Sequence, residues 1–223
     1  MKGFSTLLFL MFSLHCTAQS SNPHPFKNDL KRQNLKGKIS VVTEYEYNPN
    51  RDSLRWKSIT KYNELGNQVE FNTFSGSDEL LSKTTFTYND SGKLIEEKRY
   101  KADGTLNVKT TCKYDDRGNK IEEDNYDPGG VLFVKIMGKF DGRGNRIVKD
   151  SYNEFGSLFL KCNSKFDEDN NEISSQEYDS HHGLKFSTTY DYDNADDQGN
   201  WLKRNTYKNN EQSAITEREI TYR

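Results

Sequence analysis

The chain has 223 residues, with 32 basic and 34 acidic side chains and a formal net charge of -2. This balance supplies neither a polycationic surface for nucleic acid nor a basic tail for an anionic membrane, so we expect no nucleic-acid partner. A mean hydropathy of -1.02 is common in disordered chains. The 13 Tyr and 13 Phe recur at regular intervals, however, and therefore favour a folded protein.

The N-terminus has the pattern of an export signal. Lys2 precedes a short apolar run at 7–14, and Ala18 provides a small residue before Gln19. The run is too short to span a bilayer as a helix. We predict a signal peptide at 1–18 and an exported protein that is periplasmic, at the cell surface or secreted. The alternative is a lipoprotein anchored through Cys16, but the residues before this Cys do not fit the usual motif.

Residues 19–36 are predicted to be a linker with an N-terminal cap. Pro23 and Pro25 disfavour regular structure, and the following DLKRQNL stretch is compatible with a short helix. The rest of the chain, 37–223, is predicted to be one repeat domain.

A period of 26 residues dominates this domain, and such a period is typical of repeat architectures. Each unit contains two turn signals, such as Asp115–Gly118 and Asp127–Gly130, which favour type I turns closed by a left-handed Gly. Asn170 replaces the Gly in one unit and tolerates the same conformation. The units open on aromatic residues: Tyr62, Tyr88, Tyr114, Phe140, Phe166 and Tyr192.

Between the turns, apolar residues alternate with polar ones, which indicates β-strands. Pairs such as Ile121 and Tyr126 are five residues apart, so either a bulge or an early turn would bring them to one face. We predict an all-β fold in which tandem 26-residue β-hairpin repeats form a long, twisted or curled antiparallel meander of about fourteen strands. Sheets of this size curl or split, and the pattern is compatible with an open or a closed sheet. The charges at 217–219 suggest an edge strand protected against further pairing.

The segments YDDRGNKI at 114–121, YNDSGKLI at 88–95, FDGRGNRI at 140–147 and DQGNWLKR at 197–204 resemble YD-repeat, or Rhs-repeat, units. The resemblance covers about 37–222. It implies a hairpin-built sheet and a link to cell surfaces and carbohydrate binding. It transfers no catalytic residue, and the 26-residue period is longer than that of the classical units.

One column of charged residues is the candidate ligand site, at Lys83, Lys109, Lys135 and Lys161. These residues occupy the same position in four successive units, so they could bind an acidic glycan. The alternative is cross-strand pairing with acidic residues on the intervening strands: Glu70, Glu96, Glu97, Glu122 and Glu123.

The two cysteines of the repeat domain, Cys112 and Cys162, are about four strands apart, or ~19 Å in an open sheet. A disulfide requires Cα atoms within about 7 Å, so we predict two free, half-buried thiols. No motif for catalysis, a cofactor or a metal is present. We therefore predict a non-enzymatic envelope binding or scaffold protein whose partner is an envelope protein or polysaccharide. The alternative is an accessory domain or unrecognised hydrolase acting on extracellular polymer, which a cleft with perturbed carboxylates would favour. A third possibility is an outer-membrane barrel, which the charged residues 96–99 disfavour because they cannot all avoid the lipid.

Overall fold

The computed structural model describes residues 27–223, so the predicted signal peptide and Cys16 lie outside the described residues. One helical turn precedes fourteen antiparallel strands, and each strand pairs with its neighbours in the chain. The elements are α1 (Asp29–Arg32), β1 (Ile39–Tyr47), β2 (Leu54–Tyr62), β3 (Gln68–Ser75), β4 (Leu80–Tyr88), β5 (Leu94–Lys101), β6 (Leu106–Tyr114), β7 (Lys120–Tyr126), β8 (Leu132–Phe140), β9 (Arg146–Asn153), β10 (Leu158–Phe166), β11 (Glu172–Asp179), β12 (Leu184–Ala195), β13 (Trp201–Lys208) and β14 (Glu211–Tyr222).

The hairpin turns form as the turn signals predict. In the β6–β7 turn, the Gly118 amide donates to the Asp115 carbonyl at 3.0 Å, and Gly118 has φ 78°. The Asp115 carboxylate accepts the amides of Arg117 and Asn119 at 3.0 and 2.8 Å. Asn170 also has a positive φ, of 65°. The Asp and Gly residues of the repeat are therefore explained by turn chemistry.

Bulges accompany these turns and decide between the two readings of the five-residue spacing. Glu122 pairs with Lys113 and Lys120 pairs with Tyr114, so Ile121 is the extra residue opposite the β6 strand. The same shift occurs at Ile95, which is 52% exposed. A bulge places two neighbouring residues opposite one residue of the partner strand. In β7 the bulge places Ile121 on the outer face of the barrel, which is also the face of Tyr126.

The meander closes into a barrel, whereas the repeat pattern was compatible with either an open or a closed sheet. β14 pairs with β1 along its length, from Tyr222 opposite Ile39 to Ile215 opposite Tyr47. The expectation that the charges at 217–219 protect an edge strand is therefore wrong. Arg218 instead donates to Glu44 of β1 at 2.6 and 3.1 Å, and Arg51 forms an ion pair with Glu217 at 2.6 Å.

Closure and alternation give the barrel two distinct ends. The turns that follow the repeat aromatics all lie at one end. The aromatics lie near the C-terminal ends of the even-numbered strands β2 to β12, and in an antiparallel meander these strands all run in the same direction. The turns that follow the odd-numbered strands, such as Asp127–Gly130, lie at the other end. Residues 27–37, which we call the plug segment, contact turns at the first end only, so this end is called the plugged end.

The plug segment is held by hydrogen bonds that reach turns around the barrel. The Leu30 amide donates to the Gly66 carbonyl at 3.0 Å, and the Asn34 side chain donates to the Asp169 carbonyl at 2.8 Å. The Lys36 amide donates to the Asn200 side chain at 2.7 Å. Leu30 and Leu35 are buried in a small core with Ile39, Val42 and Tyr62. The stretch predicted to be compatible with a short helix contains α1, with Asn28 as its N-cap.

Candidate functional site

The repeat aromatics form an inner ring beneath the plug segment. The Tyr62 hydroxyl contacts Gln33, and the Tyr88 hydroxyl donates to Asp29. The Arg32 guanidinium lies 5.3 Å from the centroid of the Tyr114 ring. Phe140, Phe166 and Tyr192 line the cavity on the opposite part of the wall. The residues that define the repeat therefore position the plug and the cavity below it.

A cavity of about 690 Å³ lies inside the barrel against the plug segment. Its volume is within the ~300–1,000 Å³ range of small-molecule sites. A second cavity of about 420 Å³ shares Gln33, Gln68, Lys120 and Arg218 with it, so both are parts of one lumen. The larger cavity is cationic, although the chain is slightly acidic. It is lined by nine Lys and Arg residues (Lys27, Lys31, Arg32, Lys120, Arg143, Arg146, Lys149, Arg204, Arg218) and by three acidic residues (Asp29, Glu123, Glu172).

Part of this charge is neutralised within the wall. Glu123 accepts Arg146 at 2.7 Å and is 3.5 Å from the Lys120 ammonium. Burial would raise the pKa of Glu123, but these two cations outweigh it and hold the pKa below its usual value. Burial raises the pKa of the nearby Glu97 carboxyl, and the charge of Glu123 adds to that effect, partly offset by Lys120. The lumen thus contains two carboxylates whose pKa values move in opposite directions.

A second cluster combines arginine with aromatic rings on β12, β13 and β14. The Arg218 guanidinium lies 3.4 Å from the centroid of the Trp201 ring while it binds Glu44. Arg204 lies 5.1 Å from the Tyr190 ring centroid and 5.2 Å from that of Trp201. Such stacking leaves the guanidinium N–H groups directed to the side, where they can bind an acid group.

Two cations on the strands that line the cavity have no carboxylate partner among residues 27–223, and the same holds for Lys27 and Lys31 of the plug segment. Arg204 forms no ion pair there, and its Nε is buried without a hydrogen-bond acceptor. Lys149 is half-buried and lies opposite Cys162 in the β9–β10 ladder. Within the described part of the chain Lys149 makes neither a hydrogen bond nor an ion pair. Desolvated cations of this kind carry a free-energy cost that an anionic ligand would offset.

Both cysteines face the interior and are free and half-buried, which confirms the prediction from strand spacing. Burial raises the pKa of the Cys112 thiol to about 11 and also raises that of Cys162. The reactive thiolate is therefore scarce at neutral pH.

We expect native Cys112 and Cys162 to be alkylated slowly by iodoacetamide at pH 8, and both to react fully in guanidinium chloride. Mass spectrometry of the peptides measures each rate separately. Since no disulfide links them, a reductant should leave the melting temperature unchanged. Rapid alkylation of the native protein would contradict the interior placement of the thiols.

The inner tyrosines predict a loss of stability in alkali. Burial, partly opposed by Arg204, raises the pKa of Tyr192 to about 12, and burial also raises the pKa of Tyr62, Tyr88 and Tyr114. Below pH 10 these groups are neutral in both the folded and unfolded states. Above pH 10 the unfolded chain loses their protons first, so the free energy of unfolding should fall as the pH rises toward 12.

Denaturant titrations between pH 9 and pH 12, with tyrosinate absorbance recorded in parallel, measure this effect. Tyr192→Phe should make the free energy of unfolding less dependent on pH across this interval. A variant with an unchanged pH dependence would contradict the link between Tyr192 and alkaline instability.

The predicted lysine column lies on the outer wall, away from the cavity. Lys83 binds Glu70 at 2.7 Å, and Lys109 binds Glu96 at 3.1 Å. Lys135 binds Glu122 and Asp124 at 2.9 and 2.8 Å. No such partner is found for Lys161 within residues 27–223. The pairing alternative thus describes three of the four lysines, while glycan binding by the column remains a prediction.

The acidic partners divide between the two faces of the wall. Hydrogen bonds from two lysines each lower the pKa of Glu70 and Glu122 to about 2 on the outer face. Glu97 and Glu123 instead face the lumen. The members of each Glu-Glu pair, 96–97 and 122–123, are consecutive residues in a regular part of the strand, and successive side chains of a strand point to opposite faces.

Sequence reasoning missed the Asn residues that follow the turn glycines. Asn67, Asn119 and Asn200 are almost fully buried at the plugged end. The Asn200 side chain donates to the Lys36 carbonyl at 3.0 Å and accepts the Lys36 amide. The signal was present, because Asn follows the turn glycines 66, 118, 144 and 199 at the plugged end, whereas Thr, Val and Ser follow the turn glycines 104, 130 and 156 at the other end.

No protein family model and no curated protein matches the chain. Among solved structures, a porin-like protein from Bacteroides uniformis ATCC 8492 is similar over 90% of this chain and 100% of its own, with a TM-score of 0.53 and 13% identity. This similarity supports the barrel fold alone. A TcdB2-TccC3 complex matches 74% of this chain but only 10% of its own, with a TM-score of 0.31 and 14% identity, and TarM matches with a TM-score of 0.19 and 17% identity. Scores this low carry no argument, and the YD-repeat resemblance remains a prediction.

Within residues 27–223, no helix is long and apolar enough to cross a membrane. The same residues contain no group of three or more His, Cys, Asp or Glu side chains arranged to hold a metal ion.

Proposed function

We propose that this protein is a non-enzymatic, exported binding protein of the cell envelope, and that its barrel holds an anionic ligand beneath the plug segment. The observation that carries the proposal is the charge of the larger cavity, where cationic side chains outnumber acidic ones by nine to three. A cavity with one sign of charge and a low-dielectric wall concentrates ligands of the opposite sign.

The charged outer surface of the barrel favours water, rather than lipid, around it. Ionised networks cover it on successive strands, as where Glu70 binds both Lys61 and Lys83 at 2.8 and 2.7 Å. Lys113 and Lys135 share Glu122 in the same manner. Charge networks of this type are stable on a solvated surface and leave the lumen as the enclosed binding surface.

Capture from native material tests the proposal. The purified protein is incubated with envelope extract and spent medium, and bound polypeptide and sugar are analysed. We expect the double variant Lys149→Gln/Arg204→Gln to lose the bound anionic material. A matched control in which Lys83, Lys109, Lys135 and Lys161 are all changed to Gln should retain it. Loss in the outer-wall variant alone would place the ligand on the lysine column and refute the lumen site.

A hydrolase is the second candidate, because the lumen contains perturbed carboxylates. Burial raises the pKa of Glu97, which suits a general acid, while Lys120 and Arg146 keep Glu123 ionised. Two cations bound to Glu123 also make it a weak nucleophile, so binding is the function we favour.

Turnover assays separate the two candidates. Incubation with acidic polysaccharides, followed by a reducing-end assay, should show no increase in reducing ends. Release of reducing ends that is abolished by Glu97→Gln would establish a hydrolase. Glu154→Gln, an exposed residue of the β9–β10 turn, is the control that should behave as the unaltered protein.

A further inference from the structure

We propose that the ligand of the cavity is an acidic saccharide held by Lys149 and Arg204, with its ring beside Tyr190. This inference rests on the proposed function and names the chemistry of the same lumen. It is carried by the two cations without acidic partners, by the hydroxyl groups between them and by the adjacent aromatic wall.

Lys149 and Arg204 are the two cations on the cavity strands that form no ion pair with the described residues. Lys27 and Lys31 form none either, but they lie in the plug segment, where Lys27 donates to the Arg143 carbonyl at 3.2 Å. Other inward cations have partners, since Arg146 binds Glu123 at 2.7 Å and Arg218 binds Glu44 at 2.6 Å. Arg204 is held in place by the Tyr190 and Trp201 rings, and its Nε points to no protein acceptor. A pre-positioned guanidinium with free donors binds a carboxylate or phosphate with little loss of entropy.

Groups suited to sugar hydroxyls lie on the strands between these two cations. Ser164 on β10 and Ser175 on β11 line the cavity between β9 and β13. Glu172 also lines it and forms no ion pair with the described residues. Serine hydroxyls and a carboxylate accept and exchange hydrogen bonds with hydroxyl groups, whereas a purely anionic partner without hydroxyls would be repelled by Glu172.

The aromatic wall provides a surface for the saccharide ring. Tyr190 and Tyr192 line the cavity on β12, next to Arg204. The Trp201 ring is 5.4 Å from the Tyr192 ring and is already covered by Arg218, so the tyrosines are the accessible surface. Ring carbons of a sugar pack well against such amphipathic side chains.

Fluorescence and calorimetry test the assignment. The chain has two tryptophans, so Trp56→Phe leaves Trp201 as a single reporter in the cavity wall. Titration of this variant, with calorimetry on the unaltered chain, compares glucuronate, glucose 6-phosphate, glucose and acetate. We expect at least one of the two acidic sugars to bind and to change the Trp201 emission, and glucose and acetate to bind at least tenfold more weakly. The stronger of the two acidic sugars identifies the acid group as carboxylate or phosphate.

Variants locate the site. Lys149→Gln and Arg204→Gln should each weaken binding about tenfold or more, the usual effect of losing a charged hydrogen bond. Lys149 has no partner to lose, so Lys149→Gln should keep the melting temperature of the unaltered chain. Lys161→Gln removes the same charge from the outer wall of the next strand and should bind normally.

Equal affinity for glucose, equal affinity for acetate, or no binding of either acidic sugar would overturn the saccharide assignment. Capture of a non-saccharide anion that depends on Lys149 and Arg204 would do the same while leaving the proposed lumen function intact. Loss of binding in Lys161→Gln with normal binding in Lys149→Gln would overturn both.

Discussion

Replacing Asp29 with Ala is expected to destabilise the protein by about 3 kcal/mol and to release the plug segment, because several groups converge on this one carboxylate. Asp29 is 9% exposed and accepts Arg32 at 2.7 Å and the Gln68 amide at 2.9 Å. The Tyr88 hydroxyl donates to it as well. The substitution would leave a buried guanidinium, a hydroxyl and an amide without their acceptor.

Urea denaturation measures the loss, and hydrogen exchange at the Leu30 amide reports on the plug segment, since that amide is bonded to the Gly66 carbonyl. Asp127→Ala is the matched control. Asp127 accepts the Val131 amide at 2.8 Å in an exposed turn at the opposite end, so its loss should cost about 1 kcal/mol. Equal destabilisation by the two variants would show that the plug segment contributes no more than an ordinary turn.

Replacing Gly66 with Ala is expected to destabilise the protein more than replacing Gly104 with Ala, although both glycines have the same backbone conformation. Their φ values are 79° and 83°, so each Ala meets the left-handed penalty of roughly 1 kcal/mol. A Cβ at Gly66 would also lie 2.5 Å from Asn28 Nδ2 and 3.0 Å from Leu30 Cδ1, whereas a Cβ at Gly104 meets nothing within 4 Å.

The additional cost at Gly66 arises from the cap of α1. Asn28 donates to the Leu65 carbonyl at 2.7 Å and accepts the Lys31 amide at 3.0 Å, and it must move to admit the methyl group. Loss of an N-cap costs about 1 kcal/mol, so Gly66→Ala should reach about 2 kcal/mol. Chemical denaturation of both variants tests this. Equal losses would mean that the plug segment adapts freely to the turn beneath it.

The 26-residue repeat predicted the strands better than it predicted the candidate ligand site, and the lysine column shows why. Equivalent positions in successive units lie on one face, so the repeat groups Lys83, Lys109, Lys135 and Lys161 as one column. The two unpaired cations on the cavity strands are not equivalent in this sense. Lys149 on β9 and Arg204 on β13 belong to units of different length, and only the curvature of the barrel brings both strands to one cavity.

Interactions between residues close together in the sequence determined the strands and hairpins of this protein. Turn residues such as Asp115 and Gly118 set the hairpins, alternation set the strands, and strand spacing kept Cys112 and Cys162 apart. Each of these outcomes depends on backbone preferences within a few residues, or on the fixed distance between neighbouring strands.

The tertiary structure decided whether the sheet closes, which end is plugged and which charges remain unpaired. The pairing of β1 with β14 joins residues more than 160 positions apart, such as Tyr47 and Ile215. Closure depends on the twist accumulated over fourteen strands, to which no single segment contributes a recognisable pattern. In the closed barrel, one face of every strand lines the interior. Charged side chains that the sequence alone suggests are on the surface therefore line a cationic cavity.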